Sequence, residues 1–116
     1  MDIGEVAYAA SFLEYYAGEA IRPTSAGGGF ISASTFTNSD GSPRGQILAV
    51  QEAVGVTAMI TPWNFPLAMI TRKVGPALAT GCTSIVKPSE LTPLSAIALH
   101  NLAIKAGVPE DVFQLV

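Results

Sequence analysis

Two short polar clusters carry most of the residues in this chain that can do chemistry. The first is Ile60-Thr61-Pro62-Trp63-Asn64-Phe65-Pro66 and the second is Lys87-Pro88-Ser89-Glu90. Asn64, flanked by Pro62 and Pro66, presents a side-chain amide NH2 as a fixed donor, able to face negative charge developing on a substrate oxygen. An asparagine that only bonds its own turn is the other reading of that position. Lys87 and Glu90 place an ammonium and a carboxylate where a strand ends, and such a pair can grip the two hydroxyls of a ribose. The alternative is an exposed ion pair that contributes little. Arg72 offers a guanidinium, which suits a carboxylate through bidentate pairing, or is a plain surface arginine.

The remaining reactive side chains read as inert. Cys82 follows Gly81 at the start of an apolar segment with no histidine or glutamate base nearby, so it is expected in the core. His100, close to Asn101 and Lys105, has no visible partner for acid–base work. One cysteine and one histidine cannot build a zinc site without carboxylates or another chain, so no metal is expected.

The elements that must position these residues follow from periodicity. Over residues 3–21, Val6, Ala9, Ala10, Leu13, Tyr16, Ala17 and Ala20 recur at helical spacing, with Glu5, Glu14 and Glu19 free to face solvent. Residues 24–45 are rich in Gly, Ser, Thr and Pro and read as a long loop or loose hairpin, followed by a short strand over 46–50. The triple glycine 27–29 has neither the strand before it nor the helix after it that a phosphate cradle needs. Residues 54–61 are nearly all apolar, as in a strand buried on both faces of a parallel sheet. A helix opening at Pro66 turns Leu67, Ile70, Val74, Ala77 and Leu78 to one face, is disturbed at Pro76, and stops at Gly81. A strand over 83–87 follows. Thr92 and Pro93 then form the N-cap and first turn of a helix that carries Leu94, Ile97, Ala98 and Leu102 inward until Gly107. Residues 112–116 make a third strand. The order β-α-β-α-β over 54–116 is half of a doubly wound nucleotide-binding sheet, with both polar clusters at the carboxyl ends of its strands.

Composition narrows the class. At 116 residues the chain is the size of one small domain, and 49% hydrophobic against 13% charged residues is high for a soluble one. No uninterrupted apolar run approaches the ~18 residues that span a bilayer, so a piece of a larger protein with uncovered faces is expected rather than a membrane protein. A net charge of −3 argues against a nucleic-acid partner. The single cysteine excludes an internal disulfide and suits a reducing compartment. No secretory signal is visible.

The pair of clusters, with the stretch Ala68-Met69-Ile70-Thr71-Arg72-Lys73-Val74-Gly75-Pro76-Ala77-Leu78 between them, resembles the aldehyde dehydrogenase superfamily, and within it the succinate-semialdehyde dehydrogenase branch. The resemblance covers residues 54–116 strongly, the first helix moderately and 22–53 weakly. It implies an α/β fold, part of a Rossmann-like NAD-binding domain with a parallel sheet over 54–116, preceded by an amphipathic helix over 1–22 and an irregular loop and hairpin region over 23–53. It implies that Asn64 helps form the oxyanion hole, that Ile60, Thr61, Pro62 and Trp63 line the cofactor channel, and that Lys87, Pro88, Ser89 and Glu90 hold the adenosine ribose. For Trp63 an ordinary core position is the alternative. Glu90, which repels a 2′-phosphate, tilts the cofactor toward NAD, with NADP the alternative because Lys87 and Ser89 favour a phosphate. Arg72 would meet the substrate carboxylate of succinic semialdehyde, oxidised to succinate in 4-aminobutyrate degradation.

The family's catalytic cysteine and general-base glutamate lie after the third strand and have no counterpart here. The chain is thus expected to be an N-terminal-half fragment, inactive alone, of a homo-oligomeric (tetrameric or dimeric) cytoplasmic or mitochondrial enzyme. A dehydrogenase for another aldehyde and a truncated non-catalytic binding module are the alternatives.

Overall fold

The computed structural model describes residues 3–22, 30–49 and 52–116. Its elements run α1 (Ile3–Ala20), β1 (Phe30–Thr37), β2 (Pro43–Ala49), β3 (Val56–Ile60), α2 (Ala68–Ala79), β4 (Thr83–Lys87), α3 (Pro93–Lys105) and β5 (Phe113–Leu115). The predicted β-α-β-α-β order is therefore present, as a parallel sheet with strands in the order β3-β4-β5.

Register decides which side of that sheet is filled. Met59 stands beside Val86, Thr57 beside Ser84, and Ser84 beside Phe113. Neighbours in a parallel ladder point to one face. Met59, Val86 and Phe113 form the core with Ile70, Val74 and Ala77 of α2, Cys82, and Ala96 of α3. Both helices thus cover the same face, because two successive crossovers of one hand step along the sheet in one direction. The opposite face is open: Val56 is 71% exposed and Ile60 74%, and Ile85 is exposed beside them. The expectation of strands buried on both faces is overturned. Their composition is that of doubly covered strands, but the described residues cover one side only.

Both helices end as their glycines dictate. Gly81 (φ +76°) follows α2, with Cys82 N–H donating to Ala77 O at 2.8 Å and Gly81 N–H to Leu78 O at 3.1 Å. Gly107 (φ +96°) follows α3 with the same pair of bonds, Val108 N–H to Ala103 O and Gly107 N–H to Ile104 O, both at 3.0 Å. This left-handed closure satisfies the last carbonyls and requires a residue without Cβ strain. α2 starts at Ala68 rather than Pro66, although Phe65 O already accepts the Met69 N–H at 3.0 Å. It runs through Pro76 unbroken, where an irregularity was expected.

α3 corrects the sequence reading most sharply. Leu94 (78%) and Leu102 (60%) are exposed, as are Ile97 and Ala98, whereas Ser95 and Ala96 are buried and Leu99 and Ala103 pack at the core. The helix is apolar on two sides, and the side with small residues is the one that lies close on the sheet. Thr92 occupies the N-cap position, but its side chain makes no capping bond and its Oγ1 is buried without a partner.

α1 packs on α2. Ala9 is buried, and Phe12, Tyr16 and Ala20 are half-buried, while Val6, Ala10, Leu13 and Ala17 are exposed against expectation. Gly75 makes the crossing: a Cβ there would meet Tyr16 Cδ2 at 3.0 Å.

β1 and β2 pair antiparallel from Phe30↔Ala49 to Thr37↔Pro43. The strand expected at 46–50 begins earlier, at Pro43, and Val50 and the triple glycine lie outside the described residues. The connecting turn is built by Asp40, whose Oδ1 accepts from Ser42 N–H (2.9 Å) and Ser42 Oγ (2.6 Å), with Gly41 at φ +80°. The Ser42 hydroxyl, then its N–H, holds the Asp40 carboxyl below its ordinary range.

Candidate functional site

Both polar clusters emerge at the same edge of the sheet, because β3 and β4 are parallel and adjacent. Ile60 and Lys87 are register partners and both exposed, and Thr61 N–H donates to Lys87 O at 3.1 Å. Thr61 is buried, so the chain leaves the sheet at Pro62, and Pro62, Trp63, Asn64 and Phe65 are all exposed. Trp63, at 60% exposure, is not a core residue.

Asn64 lines a cleft of about 370 Å³ together with Gly4, Glu5, Tyr8 and Phe65, between the first turn of α1 and the turn leading into α2. Glu5, which the sequence pattern assigned to solvent, is half-buried there. Its Oε1 accepts from Leu67 N–H (2.8 Å) and Ala68 N–H (3.4 Å). These are orphan donors at the start of a helix, where a carboxylate also meets the positive end of the macrodipole. Lys73, one turn into α2, reaches back to the end of β3 and donates from Nζ to Ile60 O at 2.6 Å. Neither residue was singled out from the sequence. The signal that could have found Glu5 is negative: α2 has no acidic residue in its own first turn, so an acceptor had to come from elsewhere.

Arg72 is exposed, as its position around α2 predicts, and it leans toward α1. Its guanidinium lies 5.4 Å above the Phe12 ring, and Nη1 is 3.7 Å from Met69 Sδ. Phe12 stacks edge-on against Tyr8 (4.9 Å), and Tyr8 against Phe65 (6.4 Å). A run of rings along α1 therefore connects the turn bearing Asn64 to the cation at Arg72.

Lys87 Nζ and Glu90 Oε2 lie 2.9 Å apart on the surface. The turn between them is closed locally: Ser89 Oγ accepts from Leu91 N–H at 3.3 Å and Ser89 O from Thr92 N–H at 3.1 Å. The backbone N–H of Glu90 itself, then the Lys87 ammonium, holds the Glu90 carboxyl below its ordinary value. An ammonium donor and a carboxylate acceptor side by side are what a vicinal diol requires. Cys82 is buried in the core, with Thr80 Oγ1 at 3.4 Å from Sγ but nearer to Pro76 O (3.0 Å) and Ala77 O (3.1 Å). No cluster of three or more metal-ligating side chains occurs among the described residues.

A parallel sheet with helices entering on one face and polar turns gathered at the strands' carboxyl ends is the half-sheet of a dinucleotide-binding α/β protein. The profile of the aldehyde dehydrogenase family matches residues 1–116, and the chain belongs to that family. It is 57% identical over 114 residues to the mitochondrial succinate-semialdehyde dehydrogenase of Arabidopsis thaliana, covering 98% of this chain and 20% of that protein. To the glutarate-semialdehyde dehydrogenase of Pseudomonas aeruginosa it is 51% identical over 113 residues, 97% of this chain and 21% of that one. The crystal structure of an NADP-dependent enzyme from E. coli superposes with a TM-score of 0.79 at 49% identity, over 97% of this chain and 21% of that chain. The chain thus spans about a fifth of the length of the relatives it matches.

Proposed function

We propose that residues 1–116 form the oxyanion-donor and ribose-binding part of an NAD(P)-dependent succinate-semialdehyde dehydrogenase. Within the chain, residues 1–22 are the N-terminal helix region, 23–53 the loop and hairpin region and 54–116 the partial dinucleotide-binding domain. The observation that carries the proposal is the junction of the two turns: Thr61 N–H on Lys87 O sets the Asn64 turn beside the Lys87–Glu90 pair.

Each residue then has a role its chemistry allows. Asn64 Nδ2 donates to the carbonyl oxygen as a nucleophile adds to the aldehyde carbon, and the bond strengthens as that oxygen gains charge. Lys87 and Glu90 hold the ribose hydroxyls, with Pro88 and Ser89 fixing their turn, and Ile60, Thr61, Pro62 and Trp63 wall the channel beside them. Lys87 and Glu90 would hold NAD by its ribose, and the cofactor would supply the acceptor for the hydride that leaves the aldehyde carbon. Arg72 takes the substrate's distal carboxylate. The ionised Glu90 carboxylate favours NAD, and NADP is the alternative. Catalysis also needs a nucleophilic thiol and a base. The one cysteine of the chain is buried and has neither role, so the chain alone is inactive. The complete enzyme is a homo-oligomer, dimer or tetramer, of the cytoplasm or the mitochondrion. Among the described residues no helix is long and apolar enough to cross a membrane. The Pseudomonas relative supports a second reading, a substrate longer by one methylene held by the same cation.

The test uses a full-length enzyme carrying these 116 residues, made by replacing the matching segment of the E. coli relative. Arg72→Ala is expected to lower kcat/KM for succinic semialdehyde about 10- to 100-fold, the size of a lost charge-assisted bond, and to leave an uncharged aldehyde of the same length within about twofold. Equal losses on both substrates remove the carboxylate assignment. A higher kcat/KM for the five-carbon semialdehyde than for the four-carbon one favours the second reading.

A further inference from the structure

We infer that Glu5 is a positioning residue for Asn64. The inference rests on the reading of Asn64 as the oxyanion donor. It starts from an unusual division of labour: the N-terminus of α2 is satisfied by a carboxylate from a different helix, 62 residues earlier in the chain. Glu5 Oε1 accepts from the N–H groups of Leu67 and Ala68, which lie three and four residues beyond Asn64. Tyr8, one turn along α1, holds the Phe65 ring at 6.4 Å, and Gly4, Glu5 and Tyr8 form the wall of the cleft opposite Asn64 and Phe65.

Other groups hold the segment on its β3 side. Thr61 N–H is tied to Lys87 O, and Ile60 O is tied to Lys73 Nζ. Between these anchors and α2 lie Pro62 to Pro66, with exposed side chains at Trp63, Asn64 and Phe65. Glu5 is therefore the bracket at the far end of the Asn64 turn. Without it the two N–H groups turn to water, and the α2 end of the short segment loses its polar tie to α1, keeping the Phe65 O bond to Met69 N–H and the contact of the Phe65 ring with Tyr8. A donor whose task is to sit where charge develops loses its effect when its turn can rock by a fraction of an ångström.

The experiment is a double-mutant cycle in the full-length enzyme carrying these residues, with kcat expressed per titrated active site so that unfolded protein does not count. Glu5→Ala is expected to lower kcat about 10-fold with the aldehyde KM within twofold, since only a bond made in the transition state is disturbed. Glu5→Gln, which keeps an acceptor oxygen at the same reach, is expected to recover most of that loss. In the Asn64→Ala background, Glu5→Ala is expected to lower kcat less than twofold further, because the two act through one group. A Glu5→Ala enzyme with unchanged per-site kcat, or an equal 10-fold loss on both backgrounds, overturns the inference. If Asn64→Ala itself leaves kcat unchanged, the reading of Asn64 fails, and the inference with it, whatever Glu5 does.

Discussion

The turn after β3 and the turn after β4 sit side by side, yet they are held in opposite ways. The first takes a bond from β4 at Thr61, one from α2 at Ile60 and one from α1 through Glu5, contacts that span 26, 13 and 62 residues of sequence. The second is closed by its own residues: Lys87 to Glu90, Ser89 to Leu91, Ser89 to Thr92. The difference follows from the tasks proposed for them. A donor to a transition state must be rigid before the charge appears, because reorganisation would consume the stabilisation. A grip on a sugar closes on a ground-state ligand and tolerates an exposed, self-contained turn.

The largest expected effect tests the rigid side. Asn64→Ala in the full-length enzyme carrying this segment should lower kcat about 100- to 1,000-fold, the usual range for loss of one oxyanion donor. Cofactor KM should stay within about twofold. A fall in kcat of less than about threefold would mean that Asn64 merely bonds its own turn.

The self-contained side should respond more weakly and through binding. Glu90→Gln is expected to raise KM for NAD several-fold and leave kcat alone, since the carboxylate is exposed and a surface contact of this kind contributes modestly. It should also narrow the preference for NAD over NADP. The pH dependence has a definite sign. The folded carboxyl is held below its ordinary 4.5, so it stays ionised on descending through that value, and the grip is lost only as pH falls through the lower, folded value. The KM for NAD should therefore be flat from pH 8 to about 5. A rise beginning near pH 6 would contradict the ion pair.

The same contrast explains what the residue pattern made legible. Lys87 bonds Glu90, and Ser89 bonds Leu91 and Thr92, all within three positions, so their turn could be seen from spacing alone. So could the three parallel strands, their order and the helix stops at Gly81 and Gly107, which follow from local periodicity and backbone conformation. Glu5 and Lys73 could not, because a carboxylate at helical spacing looks solvated until the partner helix is known to start beside it. α3 failed for another reason. With Leu94, Ile97 and Leu102 on one side and Ala96, Leu99 and Ala103 on the other, periodicity offers two apolar faces, and size pointed to the wrong one. Apolar strands say that two faces can be covered, and only the fold says which one is.

The smallest expected effect sharpens the contrast at its root, where α1 meets α2. Gly75 lets the helices approach, and an added Cβ would sit 3.0 Å from Tyr16 Cδ2 and 3.6 Å from Phe12 O. Two terms oppose. Alanine is favoured over glycine within a helix by about 1 kcal/mol, and overpacking a tight contact costs about 1–3 kcal/mol. The ring of Tyr16 is half-buried and can yield only in part, while the Phe12 carbonyl belongs to helical backbone and cannot yield alone. Gly75→Ala should therefore destabilise by about 1 kcal/mol net, read as a thermal midpoint lower by about 2–4 °C. Moving α1 outward also draws Glu5 from the start of α2, so kcat should fall about two- to threefold while the KM for NAD, which depends on the turn after β4, does not change. A midpoint that rises would show that the helix crossing has room for a methyl group, and a KM for NAD that moves together with kcat would show that the two turns are not held independently.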